Sequence, residues 1–244
     1  MKRRDMAVRQ RLKDSDIETV RKTARNHRAA LVARWKWEAA DVWEDSPQRC
    51  DGDLVCTDSR HFLDTLFPEA ALIWTGHAHE SGMDGAHSER WMTAVEWQRQ
   101  QRVGPMTTPA IWMAGTTSRT AANVSSVPYI VLDFDGFDGR KPSTPVEIQQ
   151  HLAASRALIR WIRDGLGWNL AAILATGSVG LHAWFHAPPP DVLDSLKTAA
   201  KEFGLDAGLL GHPEHPCRLP GHKHEKTGEC SEILWLQEAI PLLP

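Results

Sequence analysis

The sequence predicts an α+β fold whose second half runs β-α-β-β-α-β, and three observations lead there. Four runs rich in aliphatic and aromatic residues, YIVLDFD (129–135), LAAILA (170–175), LHAWFHA (181–187) and EILWL (232–236), have the length and composition of strands. Apolar residues recur at helical spacing between the first and second of them, and again between the third and fourth. Glycines and prolines gather in the connections and leave the strand-like runs uninterrupted.

Taken in order, residues 1–45 are predicted to be a basic helical arm. Through residue 43 the chain is rich in Arg, Ala, Lys and Glu without Gly or Pro, and Asp14 or Ser15 can cap a helix ahead of Ile17 and Val20. Residues 46–128 are predicted to be an amino-terminal αβ unit. EDSPQRCDGDLVCTDSR (44–60) reads as a loop, HFLDTLF as a short helix, AALIWTG as a strand, SERWMTAVEWQRQ as a helix and PAIWMAG as a second strand, with Gly82, Gly85, Pro105 and Pro109 as punctuation.

Residues 129–244 are the clearest part. Ile148, Leu152, Ile159, Ile162 and Leu166 mark one helix; Val192, Leu196, Ala199 and Phe203 mark the other; TGSVG makes a tight connection between the second and third strands. This order is the ferredoxin-like, or RRM-like, arrangement, in which two helices cover one face of a four-stranded sheet and the other face is free. Side chains alternate across a strand. Ile130, Leu132 and Phe134, with Leu181, Ala183 and Phe185, therefore suit the helix-covered face. Val131, Asp133 and Asp135, with His182, Trp184 and His186, belong to the free one. The first and third strands are central neighbours in this arrangement, which sets His182 beside the acids.

Composition narrows the setting. The chain of 244 residues has 42% hydrophobic residues, enough for a sizeable core. No apolar run reaches the roughly 18 residues of a membrane span, and the basic start MKRRDMAVRQRLK is not followed by an apolar stretch, so a cytoplasmic protein without a membrane partner is expected. Four cysteines (Cys50, Cys56, Cys217, Cys230) suit free thiols in a reducing compartment better than a disulfide framework. The net charge of -3 is uneven: residues 1–36 hold twelve Lys or Arg against four acids, leaving -11 on the remainder. A basic arm on an acidic body suits contact with nucleic acid; a helical face packed on that body through Ile17, Val20, Leu31 and Trp35 is the alternative.

The carboxylates carry the chemistry. Asp133 and Asp135, two apart on one strand, project side by side and cannot both stay ionised cheaply unless a cation sits between them. Hard oxygen donors suit Mg2+ or Mn2+, and such sites complete their coordination with substrate phosphates and water. The alternative is a strand end with two solvated acids. Downstream, the turn of TGSVGLHAWF precedes His182, while GHPEHPCRLPGHKHEKTG carries Arg218, Lys223 and Lys226. Backbone amides, an imidazole and several cations converging on an acid pair suit a metal-bound triphosphate. Asp206, just after the second helix, can add a third carboxylate.

The acid pair of VLDFDG, the SVGLH segment and the CRLPG segment, in this order, resemble the three motifs of the archaeo-eukaryotic primase superfamily, in its primase-polymerase and plasmid replication primase branch. The resemblance covers residues 129–236, with 61–128 corresponding to the family's amino-terminal αβ unit. It implies a catalytic core that is a DNA primase or polymerase, working on a single-stranded DNA template with or without a primer, in the replication of a plasmid, phage or other mobile element. It also implies that Asp133, Asp135 and Asp206 ligate two divalent ions, that His182 contacts the phosphates of a nucleoside triphosphate, and that Arg218 with Lys223 or Lys226 holds the triphosphate or template. The family's serine two residues before the histidine is Gly180 here, so that phosphate contact is either missing or supplied by Ser178. No G-x-x-x-x-G-K-[ST] occurs, so unwinding falls to a separate helicase.

Three further readings bear on the same residues. LDFDG also resembles the first motif of haloacid-dehalogenase-type phosphatases, with Asp133 as nucleophile and Asp135 as acid, but Phe137 departs from that motif and no later acidic pair ends a strand. A non-catalytic single-strand-binding module would use Trp184 on the free face for base stacking. His212, His215, Cys217, His222, His224 and Cys230 could bind zinc, although their spacing matches no standard ligand pattern.

Overall fold

The computed structural model describes residues 14–50, 53–77, 90–206 and 208–238. Of the basic arm, residues 1–13 lie outside them, as do the punctuating Gly82 and Gly85 and the first two residues of the segment 88–100. The chain is α+β with antiparallel sheets. Helix α1 is Asp14–Arg34, followed by α2 (Ala39–Glu44), α3 (Asp53–Cys56) and α4 (Ser59–Leu66). Strands β1 (Leu72–Gly76) and β2 (Trp91–Thr93) lead to α5 (Ala94–Gln98), then to β3 (Met106–Thr107), β4 (Ile111–Trp112) and β5 (Val124–Ser126). The second half is β6 (Tyr129–Phe134), α6 (Pro145–Arg160), β7 (Leu170–Ala175), β8 (Leu181–His186), α7 (Pro190–Ala199), β9 (Cys217–Arg218) and β10 (Glu232–Leu236).

The local rules of the second half hold. Helix α6 starts where Pro145 occupies the first turn and Thr144 and Glu147 cap each other, Glu147 N donating to Thr144 Oγ1 at 3.2 Å. Its buried residues, Leu158, Ile159 and the following Ile162, pack with Leu196 and Ala200 onto Ile130, Leu132, Phe134, Leu181, Ala183 and Phe185. Leu166 departs from the predicted stripe and is exposed, because the helix ends in a π turn over Trp161–Gly165 whose extra residue rotates it off the core face.

Three expectations change. The main sheet runs β10-β7-β8-β6, so β6 and β8 are neighbours but β6 lies at the edge and not in the centre. The segment leaving α7 takes the place beside it: Asp206 N donates to the Asp133 carbonyl at 2.9 Å, Asp135 N donates to the Gly204 carbonyl at 3.3 Å, and β10 pairs with β7 instead. Second, the face opposite α6 and α7 is not free along its length. Phe62, Leu63 and Leu66 of α4, with Ile73 and Trp97, close over Tyr129, Val131, Leu174 and Trp184. Trp184 is fully buried and meets Phe62 edge-on at 5.4 Å, so it has no ligand-facing role. Burial also pushes the Tyr129 hydroxyl up to about 12. Third, the described part of the stretch predicted as one helix over 88–100 holds strand β2 followed by α5, which starts where Thr93 and Glu96 cap each other in a reciprocal pair.

Strand β9 joins the two halves. It pairs with β3, Met106 opposite Arg218 and Thr107 opposite Cys217, in a sheet ordered β2-β1-β3-β9. The amino-terminal αβ unit and the core thus share a sheet. Beyond α1, Trp37 and Val42 are buried in the core beside α6, with Leu31 and Val32 half-buried against it. Arg28 donates to Asp138 Oδ1 and Oδ2 at 3.1 and 2.9 Å and to the Glu202 carbonyl at 2.7 Å, while stacking over Phe137.

Candidate active site

The carboxylates converge because backbone pairing brings them together. Asp133 sits opposite His182 in the β6–β8 register. Asp135 lies one residue past the end of β6, and Asp206 is tied to Asp133 by the backbone hydrogen bond that caps the sheet edge. The Asp206 side chain accepts from Gly208 N at 2.8 Å, which orients one of its oxygens. All three acids line one cleft of about 440 Å³, together with Ser178, Gly180, His182, Arg218, Lys141 and His224. Its position is the open end of the sheet face whose other end α4 seals.

His182 is 6% exposed, with Nε2 3.7 Å from Asp133 Oδ1. Its Nδ1 is buried and has no hydrogen-bond partner among the described residues, an arrangement that costs free energy unless another group supplies one. The turn ahead of it must come close. A Cβ on Gly180 would lie 2.9 Å from the Phe134 carbonyl oxygen and 3.6 Å from Asp133 Oδ1, so glycine at this position lets the 177–180 turn pack on the acid strand. Any side chain here would press on the Phe134 carbonyl, which gives glycine, in place of the serine of the motif it resembles, a local steric reason.

The cations divide. Arg218, carried by β9, lines the cleft, and burial lowers its pKa. Lys223 and Lys226 are exposed and are not among the cleft residues; the lysine there is Lys141, whose ammonium pairs with Asp135. That pairing, with the fields of Asp133 and Asp206, holds the Lys141 pKa above its ordinary value against partial desolvation. Lys141 escaped the sequence reading because it lies six residues beyond Asp135 across a turn. The basic run GRKP after the acid pair is its one signal.

The histidines and cysteines of 212–230 scatter. Cys217 points into the core, where burial and then the Asp133 charge push its thiol up. His222 meets Ser59 Oγ at 3.2 Å, and burial lowers its pKa. His224 lines the cleft, also with a pKa lowered by burial and by Arg218. His212, Glu214 and His215 bring three donor atoms within 4.8 Å of one another, with His212 Nδ1 3.3 Å from Glu214 Oε1. His215 also borders the acidic cleft.

Fold and site together define an α+β protein with three carboxylates, three imidazoles and two cations around one polar cleft. Compared with known proteins, the chain matches no family model, no curated protein and no solved structure.

Proposed function

We propose that this protein is a template-dependent nucleotidyltransferase, a DNA primase or polymerase with an RRM-like catalytic core that acts on single-stranded DNA. The observation that carries the reading is that Asp133, Asp135 and Asp206, from segments more than 70 residues apart in sequence, line one cleft with His182, Ser178, Gly180 and Arg218. The β6-α6-β7 unit, with β8 paired between its strands and both long helices on one face, supports the RRM-like description, although β6 is at the edge.

Three carboxylates on one cleft fit Mg2+ or Mn2+ by donor chemistry, and Lys141 already stands as a cation on one of them. Asp133, Asp135 and Asp206 would hold these ions. When bound, such ions activate the 3'-hydroxyl and stabilise the leaving pyrophosphate. The protein's own groups do the positioning. His182, with its unpartnered Nδ1, and Arg218 face the triphosphate, while the 177–180 turn brings backbone close to the acids. Burial of Trp184 removes the stacking residue on which a purely binding role for this face would rest.

The test is incubation with labelled nucleotides, Mg2+ or Mn2+, and single-stranded templates with and without a primer. Template-dependent extension or initiation is the expected result. Release of phosphate from small phosphate esters without strand synthesis would replace this reading with the phosphatase one.

A further inference from the structure

Lys141 reaches the acids through a turn that doubles back on itself. At Gly136, with φ of 156°, an added Cβ would lie 2.3 Å from the Arg140 carbonyl oxygen and 3.1 Å from the Lys141 Cα. Asp138 adopts a left-handed φ of 57° and is held by Arg28 from α1. The turn so pinned returns Lys141 to the mouth of the cleft, where its ammonium pairs with Asp135 while the side chain remains 71% exposed.

That exposure means the stem is not packed in place. Lys141 also borders an adjoining groove of about 360 Å³ between α1 and α6, with Arg28 and Arg140 on its walls, so there is room on both sides. The charge balance then matters. With no divalent ion, a lysine is the cation nearest to Asp135; once divalent ions take the three carboxylates, the ammonium loses its partner and is repelled. A triphosphate in the same cleft offers it new oxygens.

We propose that Lys141 is a two-position residue: it holds Asp135 as counter-ion while the site lacks divalent ions, and moves to the phosphate oxygens of a nucleoside triphosphate once they bind. This rests on the nucleotidyl-transfer reading of the cleft and adds to it a phosphate-positioning residue outside the three motifs.

The test compares wild type, Lys141→Met and Lys141→Arg by calorimetry, first with Mn2+ alone and then, at saturating Mn2+, with a non-hydrolysable nucleoside triphosphate. Thermal melts run alongside confirm folding, which substitution of an exposed side chain leaves intact. Lys141→Met should bind Mn2+ about fivefold tighter, the scale of one exposed ion pair removed from competition. The same variant should bind the nucleotide about tenfold more weakly, the scale of one charge-assisted hydrogen bond, and Lys141→Arg should restore nucleotide affinity. Unchanged nucleotide affinity in Lys141→Met, or weaker Mn2+ binding, overturns the proposal. A control separates it from the reading beneath it. If wild type binds Mn2+ and Asp133→Asn does not, the carboxylate site stands whatever Lys141 does; if wild type binds no Mn2+, both fall.

Discussion

Strands β6 and β8 carry one sheet face to opposite fates at its two ends. At one end Tyr129, Val131 and Trp184 are sealed under Phe62, Leu63 and Leu66. At the other, two to four residues away along each strand, Asp133, Asp135 and His182 open onto a polar cleft. Alternation assigns both sets to the same face, so the difference comes from what packs on it. The apolar stripe of α4 ends before it reaches the acids, and β9 with the 177–180 turn forms walls there, not a lid. One end contributes stability through burial and the other spends it by gathering like charges, a division common where a rigid sheet supports a site.

The comparison can be broken most sharply by exchanging the consequences of mutation at the two ends. Asp133→Ala should lower template-dependent synthesis by more than about 10²-fold, since even loss of a group that merely orients a metal ligand costs 10- to 100-fold. Its melting temperature should stay close to wild type, because the carboxylate lines the polar cleft and its removal relieves repulsion among three clustered acids. Near-normal synthesis in gel-based extension assays would end the site assignment.

Trp184→Ala should do the reverse. Removing a fully buried indole in edge contact with Phe62 costs about 3–5 kcal/mol, which for a chain of this size lowers the melting temperature by on the order of 10 °C. Activity per folded molecule should persist, as measured below the transition. A stable, inactive variant would instead restore Trp184 to the site.

Gly180→Ala probes the boundary between the ends. The new Cβ meets the Phe134 carbonyl oxygen, a backbone atom that yields poorly, so a loss of about 1–3 kcal/mol is expected together with reduced Mn2+ affinity from the displaced Asp133. Denaturant melts and metal titration read the two effects separately.

Deleting residues 1–36 removes the basic residues of the arm and, with them, the packing of Leu31 and Val32 and the Arg28 anchor. A melting temperature lower by several degrees should accompany a shallower salt dependence of single-strand binding, by the release of fewer counterions. An unchanged salt slope would leave the arm a purely packing role.

The smallest effect is acid sensitivity away from both ends. Glu147 is held down to about 2 from an ordinary 4.5 by the amide and hydroxyl of Ser143 and the amide of Thr144. Because the folded value is depressed, its contribution is complete above about pH 4.5 and is lost as pH falls toward 2. Between pH 5 and 2, wild type should therefore lose more melting temperature than Glu147→Gln. Parallel curves would show that the capping box does not depend on the charge.

Much of the second half was legible in the sequence. The four strands and two helices fall on their predicted runs, and period-two alternation separates Ile130, Leu132 and Phe134 from Val131 and Asp133 as the structure does. These are local properties: pleating sends neighbouring side chains to opposite faces whatever lies beyond. The first half was less legible because β3 and β4 are two-residue strands and β2 has only three residues, too short to carry a period.

What the sequence by itself determined, then, is which residues share a face and in what order the elements come, and with them the order of Asp133, His182, Asp206 and Arg218 along the chain. Only the tertiary structure decided that half of that face is covered, that β6 lies at the edge, and that Lys141, not Lys223 or Lys226, stands among the acids. The reason is range. Alternation and helical period are set by residues a few positions apart. Which surface meets which depends on α4 closing over strands more than 60 residues later, and on a tight turn at Gly136 that returns Lys141 to Asp135.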